Sequence, residues 1–179
     1  MKTVSTLSQR LLAALICTFL GGCFDRGSDS NGLEVNLVIS GTVTKVHDGD
    51  SVHITPLGKK RVIVRLAAID APEVQQNHGI ASRNYLRSMI MSKQVTARCN
   101  KVDKYKRQIC VVLKDDQDIN LEMLKTGKAW YYEKFSKEQN RRDQRVYRQA
   151  AKNAVRKKLG IWAEETAIPP WEFRAIGRN

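Results

Sequence analysis

Val62-Ile63-Val64-Arg65-Leu66-Ala67-Ala68-Ile69-Asp70-Ala71-Pro72-Glu73 is an apolar run rich in β-branched residues that carries one arginine and ends in two carboxylates. It reads as a strand entering a turn. Val62, Val64 and Leu66 alternate with Ile63, Arg65 and Ala67, so a period of two puts Arg65 on the face opposite the aliphatic trio. Pro72 has no amide to give a ladder and stops the strand. A core strand carries an arginine only where the charge is paired or meets an anion, because desolvating it alone costs on the order of several kcal/mol. The other reading of this run alone is an edge strand with a solvated arginine and an acidic turn.

Two further stretches bear on that choice. Upstream, Val46-His47-Asp48-Gly49-Asp50-Ser51 places carboxylates at i and i+2 around a glycine, just before the alternating Ser51-Val52-His53-Ile54-Thr55. Downstream, Asp103-Lys104-Tyr105-Lys106-Arg107 separates two more strand-like runs. Asp-Gly-Asp, then Arg-x4-Asp-x-Pro-Glu, then Asp-Lys-Tyr-x-Arg, in that order, resembles the staphylococcal nuclease family over the stretch from Ser40 to Glu164.

The resemblance implies a phosphodiesterase site. Phosphodiester hydrolysis needs a positioned water, a carboxylate to orient or deprotonate it, and positive charge where charge builds on the phosphoryl oxygens. Asp50 and Asp70 are hard oxygen ligands suited to one calcium ion, with the carbonyl at Ala71 matching the family's further ligand. Asp48 stands behind them as a supporting residue. Glu73 matches the family's general base or water-orienting group. Arg65 and Arg107 match the two phosphate-gripping arginines, a task suited to a planar fork of donors. Tyr105 matches a tyrosine lining the nucleotide pocket, with Lys104 beside it as a substrate contact. Lys106 stands where the family's loop usually has glycine, which implies that Arg107 is presented differently. His47, His53 and His78 are not needed and are expected at the surface or pocket rim.

Charge is consistent with such a substrate. Lys and Arg outnumber Asp and Glu by 31 to 18, a formal net charge of +13, which favours polyanionic partners without specifying chemistry. At the N-terminus, Lys2 and Arg10 precede a short apolar run, Leu11 to Leu20, too short to span a bilayer as a mature helix. Residues 1–22 are expected to be an export signal. Leu20-Gly21-Gly22-Cys23 resembles a bacterial lipobox, which implies lipidation of Cys23 and a protein held at the cell envelope; an ordinary secretory signal cut nearby is the alternative. Phe24, where an inner-membrane retention aspartate would stand, favours the outer membrane. Residues 23–36, rich in Gly, Ser, Asp and Asn, read as a flexible tether.

The domain is expected over 37–165. A β-meander runs to Leu66, with Pro56-Leu57-Gly58 as a hairpin turn. A helix over Asn77 to Met91 is expected to bury Ile80, Tyr85, Leu86, Met89 and Ile90. Strands over Gln94 to Cys99 and Arg107 to Leu113 flank the Asp103 loop, and a short helix from Asn120 to Thr126 is closed by Gly127. The longest helix is read from Ser136 to Leu159, with Val146, Tyr147, Ala150 and Ala154 against the body and Arg141, Arg145, Arg148, Lys152 and Arg156 in a basic stripe. That stripe is either a solvated face or a source of phosphate contacts. Residues 166–179 read as a C-terminal tail. Cys99 and Cys110 sit in neighbouring strands and would form a disulfide if the register brings their α-carbons within about 7 Å; two buried free thiols are the alternative.

The fold class expected is α+β: a five-stranded OB-type β-barrel with about three packed helices. The expected function is an exported, lipid-anchored, monomeric, calcium-dependent endonuclease acting on DNA and RNA with little sequence preference and leaving 3′-phosphate ends. The alternatives are a non-catalytic OB-fold lipoprotein that binds nucleic acid, and a lipoprotein whose basic face engages an anionic envelope polymer.

Overall fold

The computed structural model of the chain describes residues 37–177. The expected signal, the tether and Cys23 lie outside the described residues. No helix among the described residues is long and apolar enough to cross a membrane.

Alternation of buried and exposed positions builds five strands into one closed barrel. They are β1 (Leu37–Val46), β2 (Ser51–Thr55), β3 (Val62–Leu66), β5 (Gln94–Val102) and β6 (Gln108–Lys114), with a short β4 (Ile69–Asp70) between β3 and β5. β1 pairs antiparallel with β2 and with β5, β2 with β3, and β5 with β6. Closure comes from β3 running parallel to β6, with Arg65 opposite Ile109 and Leu66 opposite Cys110. The OB-type barrel expected from the sequence is therefore present, and no barrel strand is left as a bare edge. Val64 and Leu66 are fully buried with Val43, Val52 and Ile54, while Ile63 on the other face is exposed, as the alternation in β3 requires.

One buried polar side chain holds the seam. Asn120 accepts the Val112 amide through Oδ1 and donates through Nδ2 to the carbonyls of Ala67 and Cys110. It thereby fastens α2 (Ile119–Lys125), which follows the two-residue strand β7 (Gln117–Asp118), to the β3–β6 junction. Cys99 and Cys110 face each other across the β5–β6 ladder and are bonded, with their α-carbons 4.0 Å apart.

The helices depart from expectation in detail. α1 is Gly79–Ile90, and its buried face is Gly79, Ser82, Leu86 and Ile90; Ile80, placed in that face by spacing, is 55% exposed because it lies one residue, about 100°, round the helix from Gly79. The segment after the short strand β8 (Trp130–Tyr131) is a 3-10 helix, Glu133–Glu138, and only then does α3 (Arg141–Arg156) begin. Asn140 caps α3, its side chain accepting the Asp143 amide. Tyr147, Ala150 and Ala154 face inward, whereas Val146 is exposed, and the stripe of Arg141, Arg145, Lys152 and Arg156 is solvent-facing. Residues beyond Glu165 form more than a tail: a strap leads into α4 (Pro170–Ile176). The strap is held by Gln76 donating to the Ile168 carbonyl and by Trp171 stacked parallel on Tyr132, ring centroids 5.2 Å apart.

Candidate active site

The Asp-Gly-Asp turn and the end of β3 meet at one end of the barrel because β2 and β3 are hydrogen-bonded neighbours, with Ser51 opposite Arg65. The Asp48 carboxylate accepts the Asp50 amide at 2.9 Å, an Asx turn that aims Asp50 inward. Leu66 then donates its amide to the Asp50 carbonyl, and Ala71 donates its amide to Asp50 Oδ2 at 2.7 Å. Asp50 and Asp70 are consequently almost inaccessible, at 5% and 1% exposure.

Arg65 fills the space between them. Its Nε lies 3.0 Å from Asp50 Oδ1 and its Nη2 lies 2.8 Å from Asp70 Oδ1, while Nη1 donates to the carbonyls of Leu66 and Ile69. The paired-arginine reading of β3 holds, and the edge-strand reading does not. Two buried carboxylates on one side of a guanidinium have the hard-oxygen chemistry of a divalent cation site. Among the described residues no group of three or more His, Cys, Asp or Glu gathers around a metal position. A cation held by Asp50 and Asp70 would need further oxygens from backbone carbonyl, water or phosphate; Ala71 meets Asp50 through its amide.

Electrostatics follow from burial. The Asp48 carboxyl is pushed up to about 7 by desolvation and by the charge of Asp50 beside it, with the Asp50 amide and Arg65 acting in the opposite direction. Asp70 is raised, first by burial and also by Asp50, against the hydrogen bond from Arg174 and the charge of Arg65. The acids at this site repel one another, and Arg65 and Arg174 offset that repulsion.

The second expected arginine arrives from the β5–β6 loop. Arg107 Nη1 lies 3.5 Å from Ser51 Oγ, which itself donates to Asp50 Oδ1 at 3.1 Å, so Arg107 borders the same site. It is held by Asp103, whose Oδ1 accepts the Tyr105 and Arg107 amides and whose Oδ2 takes Arg107 Nε at 2.8 Å. Burial acts to raise the Asp103 carboxyl, but the backbone and side-chain hydrogen bonds of Arg107 outweigh it and hold the group low. Lys106 adopts φ 63, the left-handed conformation that glycine adopts most readily. Strain there costs roughly 1–2 kcal/mol, and the chain accepts it. Tyr105 is 66% exposed, between Lys104 Nζ at 5.0 Å and Arg107 Cζ at 5.4 Å from its ring centre. It presents an open aromatic face flanked by cations. His47 is exposed, and His78 lies 3.0 Å from Glu164 away from the carboxylates.

Three residues at the site have no counterpart among those singled out in the sequence. Ser51 and Asp103 connect Arg107 to Asp50 and to its own loop, and Asp103 was legible as the first residue of the Asp-Lys-Tyr-Lys-Arg turn. Arg174 of α4 is the third. Its Nη2 lies 2.7 Å from Asp70 Oδ2 and its Nη1 2.7 Å from Glu73 Oε1 and 3.3 Å from Asp70 Oδ1. Burial opposes its charge, but the hydrogen bonds to Asp70 and Glu73 more than compensate and raise its pKa further. Nothing in the local sequence of 166–179 signals this contact.

Comparison with known proteins agrees with this geometry. Residues 63–164 match the family model described as staphylococcal nuclease homologue. The chain is 39% identical over 132 residues to a Haemophilus influenzae protein named "Uncharacterized endonuclease", covering 74% of this chain and 71% of that one. It is 32% identical over 148 residues to the "Micrococcal nuclease" of Shigella flexneri, covering 78% and 82%, and 32% identical over 137 residues to an Escherichia coli "Uncharacterized endonuclease", covering 76% and 85%. With the barrel, the motif order and the gathered carboxylates and arginines all in agreement, the chain belongs to the staphylococcal nuclease family and is a nuclease-type hydrolase.

Proposed function

We propose that this protein is a calcium-dependent endonuclease that hydrolyses DNA and RNA with little sequence preference and leaves 3′-phosphate ends. The observation that carries the reading is the convergence of Asp50, Arg65, Asp70 and Glu73 at one barrel mouth, with Arg107 bordering it through Ser51. Asp50 and Asp70, with the Ala71 carbonyl, would hold the calcium ion, which when bound would supply Lewis-acid chemistry at the phosphate.

This chain's own residues do the rest. Glu73, half-buried and joined to Asp70 through Arg174, orients a water and takes its proton as the water oxygen bonds to phosphorus and the P–O5′ bond breaks, the 5′ oxygen leaving as a hydroxyl with a proton from solvent. Arg65 and Arg107 donate to the non-bridging oxygens, where charge grows in the transition state, and Asp103 keeps Arg107 from swinging away. Tyr105 offers its exposed face to a base, and Lys104 meets the backbone phosphate beside it. None of these contacts reads a base edge, which supports cleavage with little sequence preference.

Glu73→Gln tests the mechanism. The amide cannot take a proton, so cleavage of plasmid DNA is expected to fall by about 10²–10⁴-fold, while salt-sensitive binding of DNA in a gel-shift assay persists. Unchanged cleavage by that variant contradicts the assignment. A wild-type protein that binds without cutting under any divalent metal would make it the nucleic-acid-binding module instead. We propose in addition that the protein is a monomer exported to the cell envelope and anchored through lipidated Cys23; mass spectrometry of the mature N-terminus tests the anchor.

A further inference from the structure

The contacts of Arg174 conflict with a loaded site. Asp70 Oδ1 accepts from Arg65 and Arg174, and Asp70 Oδ2 accepts from Arg174, so arginine donors occupy both oxygens of this carboxylate. Glu73 Oε1 is taken by the same guanidinium. Acceptor sites remain on these carboxylates, but a divalent cation bound to an Asp70 oxygen would share that oxygen's surroundings with guanidinium nitrogens 2.7–3.3 Å away, and like charges that close in a buried site repel, so the more loosely held arginine is the one to move.

The two are not equally held. The side chain of Arg65 is 12% exposed and is pinned to the carbonyls of Leu66 and Ile69 within its own strand end. That of Arg174 is 38% exposed and is carried by a seven-residue helix at the end of the described chain. α4 also lies beyond the part of the chain that the family model matches, which ends at residue 164. It reaches back over 101 to 104 residues to the site.

We propose that α4 is a latch that competes with the divalent cation: in the closed form Arg174 sits at Asp70 and Glu73 in place of the cation and the water, and cation binding requires α4 to lift. The inference rests on the calcium reading given above. Substituting one guanidinium charge for a divalent ion leaves the buried acids compensated in both states, so the empty site need not repel itself apart. Trp171 stacked on Tyr132 and Gln76 bonded to the Ile168 carbonyl hold the latch shut without touching the carboxylates. Opening swings away Trp171 as well, exposing the face of Tyr132 that it covers.

Calcium titration of the full chain by calorimetry, with hydrogen exchange followed over residues 170–176, tests the latch in the wild type, Arg174→Gln and Trp171→Ala. Arg174→Gln is expected to bind calcium about tenfold more tightly or better, as for a site relieved of a closed state populated at about nine parts in ten. Trp171→Ala keeps every charge at the site and loosens only the helix; it is expected to tighten calcium binding too. In the wild type calcium is expected to speed exchange across α4. Equal or weaker binding by Arg174→Gln overturns the latch. Tightening in Arg174→Gln alone, with Trp171→Ala and α4 exchange unchanged, overturns it as well, since removal of charge then explains everything. If none of the three proteins binds calcium, the calcium reading itself fails and the latch with it.

Discussion

Gly49 shows how a single residue decides whether the two acids can meet. A Cβ placed there would lie 2.0 Å from Ser82 Oγ and 2.6 Å from the Ala71 Cβ, so the Asp48-Gly49-Asp50 turn can pack against α1 and the Asp70-Ala71 corner only without a side chain. Its glycine is required by crowding; the left-handed conformation plays no part, since Gly49 is absent from the glycines with positive φ. Gly49→Ala is expected to destabilise the fold by about 1–3 kcal/mol, as overpacking does, and to lower cleavage further by displacing Asp50; thermal denaturation and a nuclease assay check the two effects. A variant as stable and active as the wild type would contradict the account of the turn. At this scale the sequence was informative about identity and less so about cause. Arg65, Asp70 and Glu73 stood out because they share one short stretch at the end of β3 and the turn after it, and Asp50 because the Asp-Gly-Asp turn precedes β2 in the family's motif order. Lys106 takes a positive φ that a lysine disfavours, because the Asp103 carboxylate fixes the amides on either side of it, and propensity gives way to that local bracket.

At the scale of elements, α2 and α3 are joined through a buried acid. Asp118 caps α2 by accepting the Leu121 amide, and its other oxygen accepts the Tyr147 hydroxyl of α3 at 2.7 Å. Burial raises its carboxyl above the ordinary 3.8, only partly offset by the Leu121 and Tyr147 hydrogen bonds. The folded protein therefore keeps this proton to higher pH than the unfolded chain does. From about 3.8 upward the unfolded state ionises first, so this group's contribution to stability falls with rising pH until the folded carboxyl has ionised as well. Asp118→Asn keeps a capping oxygen and turns its amide toward the Tyr147 oxygen. Its stability relative to wild type is expected to improve progressively as pH rises above 4, measured by denaturant unfolding at several pH values; a pH-independent difference would contradict the assignment. The start of α3 carries a local signal: Asn140-Arg141-Arg142-Asp143 is a capping sequence, with Asn140 Nδ2 donating to Asp143 Oδ2 as well as Oδ1 capping its amide. Ser136 to Glu138, read as the first turn of that helix, belongs instead to the preceding 3-10 helix, whose Phe135 packs edge-on against Tyr132.

For the whole molecule, the barrel was legible and the latch was not, for one physical reason. Barrel strands announce themselves through alternation between neighbours, and the order of the motifs puts their ends at one mouth. The Arg174 contact joins residues about a hundred positions apart through three hydrogen bonds, and neither partner carries a local mark of the other. The net charge of +13 and the outward stripe of α3 give the molecule a field that draws in polyanions, and the site then supplies the chemistry. The most direct measurement is degradation of plasmid DNA and of RNA by the purified protein with calcium and then with excess chelator. Cleavage of both substrates that requires calcium and stops on chelation is the predicted result. Cleavage that proceeds at the same rate with chelator present, or binding without cleavage whatever divalent metal is added, would contradict a calcium-dependent nuclease built on Asp50, Asp70 and Glu73.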